Sequence, residues 1–220
     1  MTAKDMAKIT LNLVVIYVVG GLILSVVYSI TSPIMYIKAK EEKEAALKTM
    51  MPEADNIKKL GDWEPHHKHA EYYGAESCEK VEIEQVKDEK TGKIKELKTC
   101  INGKNIGYIV EGYGKGYSSY INVLVSVDKN FVVKKVTVLH HAETPGLGDE
   151  IERDYFLNQF AGKTVDNLVV IKGETEDKVE AISGATISSR AVTEDGVKNG
   201  VKMLIGKMHS EGLVSEYDND

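Results

Sequence analysis

The hydropathy pattern changes character several times along the chain. Residues 9–37 carry no charge, and residues 11–30 are predominantly apolar. Crossing a bilayer takes ~20 helical residues, so the pattern predicts a membrane-spanning helix that enters lipid through residues 9–30. A cleaved signal peptide is the competing reading. Its apolar region usually runs only ~7–15 residues before a cleavage site. Here the run is longer and leads into Thr31-Ser32-Pro33-Ile34, which favours a retained helix. Gly20-Gly21 would allow a neighbouring helix to approach closely. In residues 38–51, Ala39, Ala45, Ala46, Leu47 and Met50 lie among Lys and Glu before Pro52, a helical pattern with its stop. Residues 53–77 show no period and carry Gly61, Pro65 and Gly74, so they are expected to be irregular.

Alternation takes over after that. Residues 81–86 read as a half-buried strand. Asp88-Glu89-Lys90-Thr91-Gly92 is a turn, and residues 93–101 return antiparallel. Residues 106–111 form a strand, followed by a glycine-rich loop, Gly112-Tyr113-Gly114-Lys115-Gly116-Tyr117. Residues 121–127 and 131–139 make a second hairpin around Asp128-Lys129-Asn130. Residues 154–160 look helical, and short strands are expected at 163–171 and 179–182. Val197, Val201, Leu204, Ile205 and Met208 are spaced as one face of a C-terminal helix. The fold class expected is α+β: one N-terminal transmembrane helix, then an antiparallel sheet with packed helices.

Composition narrows the function classes. The net charge of −6 and the lack of a basic, aromatic-interleaved stripe exclude nucleic-acid binding. The chain's two cysteines, with no Cys-x-x-Cys, cannot by themselves build an iron–sulfur cluster or a haem attachment site. Folding the first hairpin about Lys90 brings Cys78 and Cys100 to one end. A disulfide, implying an oxidising compartment, and two free thiols are both compatible with this. Lys4 and Lys8 flank one end of the apolar segment and Lys38, Lys40, Lys43 and Lys48 the other. That count leans towards a cytoplasmic C-terminal domain. His66-His67-Lys68-His69 lies in the irregular stretch and reads as a solvated loop, so no metal site is expected.

The candidate chemistry is concentrated in Ser183-Gly184-Ala185-Thr186-Ile187-Ser188-Ser189. It places four hydroxyls before the C-terminal helix, where backbone N–H groups favour a phosphate. Helix capping by Ser or Thr is the plain alternative. The glycine-rich loop lacks the spacing of a P-loop or dinucleotide fingerprint. A serine hydrolase would need a base, with His140 and His141 as candidates, and no Gly-x-Ser-x-Gly elbow is present. A membrane-tethered, non-catalytic binding module is a further reading.

Glu143-Thr144-Pro145-Gly146-Leu147-Gly148, preceded by His141-Ala142, and some forty residues later Ser183-Gly184-Ala185-Thr186 together resemble the FMN-binding domain family. Its members include the G subunit of the Rnf complex, a membrane-bound ferredoxin:NAD oxidoreductase coupled to ion translocation, and the C subunit of the sodium-translocating NADH:quinone reductase. The short chain looks more like the former, with the latter as the alternative. The resemblance implies FMN joined through its phosphate to the Thr186 hydroxyl by a separate flavin transferase. Ser183, Gly184, Ala185, Ile187 and Ser188 would surround the phosphate, with Arg190 as a neutralising charge. Glu143, Thr144, Gly146, Leu147, Gly114 and Lys115 would contact the ring. Lys115 near the ring would favour reduced flavin, and a solvated loop lysine is the equal alternative. The chain would carry electrons between other subunits of a membrane complex and would not turn over alone. The family places this domain on the periplasmic or outer face of the inner membrane, against the lysine count. The implied organisation is an anchor at 1–37, a helical and irregular connecting segment at 38–78, an FMN-binding domain at 79–210 and an acidic tail at 211–220.

Overall fold

The computed structural model describes residues 3–87 and 94–210, and the chain divides into two units between Glu44 and Ala45. The turn expected at 88–92 and the tail at 211–220 lie outside the described residues. Helix α1 spans Ala3–Met50. From Lys8 it is long and apolar enough to cross a membrane. In the first unit its apolar side chains, among them Leu11, Ile16, Leu24 and Ile30, are exposed. A helix of this kind satisfies its own backbone groups and presents hydrocarbon all round, as lipid requires.

The second unit is built on an antiparallel five-stranded sheet. Its strands are β1 (Asn56–Trp63) and β2 (Ala70–Ser77), then β5 (Lys104–Lys115), β6 (Tyr120–Asp128) and β7 (Val133–His140), in spatial order β1-β2-β5-β6-β7. Strands β3 (Lys80–Lys87) and β4 (Ile94–Ile101) form a separate hairpin at the expected positions. Cys78 and Cys100 form a disulfide at its base.

Strands β1 and β2 occupy residues that the pattern marks as irregular. Two local causes hide them. The β1–β2 register slips between Lys59 and Gly61, and such a bulge destroys the two-residue alternation. The glycines make room instead of ending strands: a Cβ on Gly61 would lie 2.5 Å from the Tyr72 hydroxyl. Much of the expected connecting segment 38–78 is therefore part of the folded unit. His66 and His67 sit in the turn between the two strands, both at positive φ.

Alternation divides β5 and β6 between two cores. On one face Tyr108, Val110, Ile121, Val123, Val125 and Val127 pack under the C-terminal helical elements. On the other, Ile109 and Leu124 join Tyr73 and Ala75 against Leu47, Met50 and Met51, the end of α1.

Strand β5 runs through residues 112–115 of the stretch expected to be a glycine-rich loop, and packing explains why. A Cβ on Gly112 would lie 2.3 Å from the Gly196 carbonyl oxygen, and one on Gly114 only 1.8 Å from that of Ala191. The glycines let a helix backbone press onto the sheet. That helix begins as α3 (Thr186–Arg190), widens into a π-helical segment (Ala191–Lys198) and ends as α4 (Asn199–Ser210). Val197, Val201, Leu204 and Met208 are fully buried along it, as the spacing predicts, and Ile205 packs at the margin.

Between β7 and α3 the chain is mostly short turns. Helix α2 covers Asp154–Leu157 and continues as a 3₁₀ turn to Phe160. The strand expected at 163–171 is reduced to β8 (Val170–Ile171), which pairs in parallel with β9 (Val179–Glu180). The class is α+β, as expected.

Candidate functional site

A cleft of about 540 Å³ opens where four chain segments meet, within the usual size range for small-molecule sites. Tyr117 comes from the β5–β6 turn. Glu143, Thr144, Leu147 and Gly148 come from the turn after β7. Gly184, Ala185, Thr186, Ile187 and Ser188 come from the start of α3, and Lys172 from the end of β8. The two motifs are some forty residues apart in sequence and line one cavity.

Glu143 joins three of these segments. It is 5% exposed. Its carboxylate accepts hydrogen bonds from the backbone N–H groups of Tyr117 (3.1 Å), Ser118 (3.0 Å) and Ser119 (3.4 Å), and from the Ser188 hydroxyl. Burial alone pushes this carboxyl up. The Ser188 hydroxyl and the three N–H donors outweigh that effect and hold it below the ordinary value of 4.5. Two glycines make room for it: a Cβ on Gly116 would lie 2.5 Å from a Glu143 oxygen, and one on Gly148 2.8 Å from the Glu143 Cβ. Glu143 is thus a clamp for the cleft walls as well as a lining residue.

The turn after β7 turns its donors inward. The N–H groups of Leu147, Gly148 and Asp149 all point to the Thr144 carbonyl, at 3.2, 3.0 and 3.3 Å. Leu147 N–H also donates to the Asp149 carboxylate at 3.0 Å. These groups are occupied in holding the turn and are not free to donate to a ring edge. Gly146, at φ +72°, makes the turn possible and does not line the cleft. Leu147 lines it, 44% exposed, beside Ile187 at 55% and Tyr117 at 73%. These three large apolar side chains stand open to solvent around one cavity.

The hydroxyls of the α3 start have separate fates. None caps the helix; the residue before it is Ala185, with no side-chain cap. Ser188 donates to Glu143. Ser189 is buried, donates to the Ala185 carbonyl at 3.0 Å and accepts from Ile182 N–H at 3.0 Å. Ser183 is exposed and lies outside the lining. Thr186 is half-buried and lines the cleft. Among the described residues its hydroxyl has no protein partner. Gly184, at φ +80°, lies against Leu147, where a Cβ would sit 2.8 Å from the leucine methyl. The turn and the Ser-Gly-Ala-Thr stretch therefore touch directly.

Three further expected site residues stand elsewhere. Gly114 is packed under Ala191, and Lys115 is exposed at the end of β5; neither lines the cleft. Arg190 is exposed at the last residue of α3 and is also outside the lining. The cation in the cleft is Lys172 instead. No sequence motif marks it; it reaches the site because β8 pairs with β9, the strand that leads into Ser183-Gly184-Ala185-Thr186. Of the candidate histidine bases, His141 is committed elsewhere. His141 accepts from Glu143 N–H at 3.1 Å and contacts Glu152 at 2.9 Å. Among the described residues no histidine hydrogen-bonds to a serine of this stretch.

Residues 116–202 match the FMN-binding domain family. This range takes in the Tyr117 turn, the turn after β7, β8, β9 and the helix start. The G subunit of the proton-translocating ferredoxin:NAD(+) oxidoreductase complex of Clostridium ljungdahlii is 31% identical over 200 residues, 89% of this chain and 90% of that protein. The G subunit of an ion-translocating oxidoreductase complex of Methanosarcina acetivorans is 29% identical over 194 residues, 87% of this chain and 91% of that one. The C subunit of the Na(+)-translocating NADH-quinone reductase of Pasteurella multocida is 41% identical over 106 residues, 43% of this chain and 38% of its own length.

Proposed function

The chain belongs to the family of G subunits of ion-translocating ferredoxin:NAD(+) oxidoreductase complexes, which carry an FMN-binding domain, and from that premise we propose that it is a membrane-anchored electron carrier with FMN attached to Thr186. One observation carries the attachment site. Of the hydroxyls at the start of α3, Thr186 alone both lines the cleft and is uncommitted to the protein. The quinone-reductase C subunit is the weaker reading, because this chain spans 38% of that relative against 90% of the Clostridium ljungdahlii protein.

A flavin transferase would make the bond from FAD. The Thr186 oxygen forms a bond to the FMN phosphorus, the bond from that phosphorus to AMP breaks, and the hydroxyl proton is released. FMN supplies reversible redox chemistry, and the protein supplies position and electrostatics. Gly184 and Ala185 leave room at the phosphate. Tyr117, Leu147 and Ile187 offer apolar surface to the flat ring. Glu143 fixes three of the walls relative to one another. A covalent link keeps the carrier in place while electrons pass to and from the rest of the complex, so the isolated chain would have no turnover of its own. Residues 9–30 would span the inner membrane, with the second unit on the periplasmic or outer face. The disulfide supports that side, because disulfides persist where the compartment is oxidising.

The test uses the full chain co-expressed with its flavin transferase. The denatured, washed protein is expected to stay yellow and to be heavier by FMN less one water, and Thr186→Val is expected to remove both. Bound flavin surviving that substitution would overturn the attachment site. Colourless, unmodified protein from the native membrane would overturn the carrier reading.

A further inference from the structure

The cleft holds two ionisable side chains, Glu143 and Lys172, besides the Tyr117 phenol. The Glu143 carboxylate is fully engaged by four donors and has the wrong sign for a phosphate. Lys172 makes no ion pair among the described residues. Its position is fixed by its neighbours. The Ile171 carbonyl accepts from Ala181 N–H at 2.9 Å, which ties the start of the loop to the residues entering Ser183-Gly184-Ala185-Thr186. The far end is held by Lys163. This lysine is 8% exposed, and its ammonium donates to the carbonyls of Glu176 (3.0 Å) and Asp177 (2.9 Å). Lys178 N–H donates to the Thr175 hydroxyl at 3.1 Å. Gly173, at φ +101°, lets the chain turn directly after Lys172. A buried lysine thus stakes down the loop that carries an exposed lysine into the cleft.

We infer that Lys172 is the counter-charge for the phosphodiester on Thr186, and that Lys163 acts as a positioning residue by holding the 172–178 loop. The inference rests on the Thr186 reading above. A phosphodiester keeps one negative charge in a cleft that already contains a carboxylate. An ammonium lining the same cleft offsets that charge and favours flavins that carry phosphate. The loop fixes the backbone at Lys172 before the flavin arrives, so only the lysine side chain itself is left to be ordered on attachment.

The test is a double-mutant cycle in which attached FMN is one of the two changes. Full-length chain in detergent is prepared with and without FMN, each species checked by intact mass, as wild type, Lys172→Gln and Lys172→Arg. Attachment is expected to raise the unfolding temperature by about 2 °C more in wild type than in Lys172→Gln, the size of a partly exposed ion pair in a chain this long. Lys172→Arg is expected to keep the wild-type increment. Molar salt, with a screening length of ~3 Å, is expected to shrink the difference. Lys163→Met is expected to reduce the increment as well, with part of the loss recovered in Lys163→Arg. A Lys172→Gln chain that takes up no FMN while Lys172→Arg does so normally also supports the assignment.

Equal increments in wild type and Lys172→Gln overturn it. The phosphodiester charge does not change on reduction, so the flavin's midpoint potential is expected to move little. A clear fall in potential with an unchanged stability increment would place the ammonium at the ring and overturn the phosphate assignment. A wild-type chain bearing no FMN on Thr186 would instead remove the reading on which the inference rests.

Discussion

Glu143 shows how one side chain sets the geometry of the cleft. Its charge is held by three consecutive backbone N–H groups and the Ser188 hydroxyl, and its depressed pKa makes that arrangement dependent on pH. A carboxyl whose folded value lies below its unfolded value contributes stability at higher pH and loses it as pH falls through the folded value. Wild type is therefore expected to lose stability as pH drops below about 4.5, and Glu143→Gln is expected to start lower and show less of that acid dependence. The substitution turns an amide N–H₂ towards backbone donors, at a cost of roughly 2 kcal/mol near pH 7 by chemical denaturation. An unchanged acid slope in Glu143→Gln would remove the clamp. Gly114 gives a second prediction at this scale. Gly114→Ala is expected to destabilise the second unit by about 2–4 kcal/mol, because the new methyl would collide with the Ala191 carbonyl. Wild-type stability in that variant would show that the helix does not press on β5 there. The motif residues are legible in the sequence because they are close together in it. The clamp role of Glu143 is not, because its partners lie 24–45 residues away. Lys172 escapes a sequence reading for the same kind of reason: the β8–β9 pairing leads it into the cleft that Thr186 lines.

At the scale of elements, what can be read follows local periodicity. The C-terminal helix is clear from Val197, Val201, Leu204 and Met208, and the β3–β4 hairpin from its alternation. The π-helical register of residues 191–198 is not, since eight residues cannot distinguish one helical period from another. Strands β1 and β2 are hidden by a bulge and by glycines that accommodate cross-strand side chains. The glycine stretch of β5 misleads because the same residues serve a ligand loop and a close strand–helix contact. The hairpin carries a prediction of its own. The disulfide closes a segment with a sequence separation of 22. Its loss in Cys78→Ser/Cys100→Ser is expected to cost about 2–3 kcal/mol in denaturant unfolding, with the flavin still attached. Equal midpoints for the paired and serine chains would mean that β3 and β4 need no staple.

For the whole molecule the informative conflict is between lysine counts and cysteine chemistry. The lysines around residues 9–37 favour a cytoplasmic second unit, and the disulfide favours an oxidising side. A membrane-impermeant thiol reagent applied to intact cells is expected to label Cys78 and Cys100 only after mild reduction; labelling that required lysis would reverse the topology. The central claim is more local than the topology. It is the proposal that Thr186, whose hydroxyl alone among those at the start of α3 both lines the cleft and is uncommitted to the protein, carries the flavin. The most direct measurement is peptide mapping by mass spectrometry of the chain isolated from its native membrane. A single peptide containing Thr186 and bearing FMN less one water is expected, with fragmentation placing the phosphoester on that threonine. FMN located on Ser183, Ser188 or Ser189, or the Thr186 peptide recovered only unmodified, would contradict it.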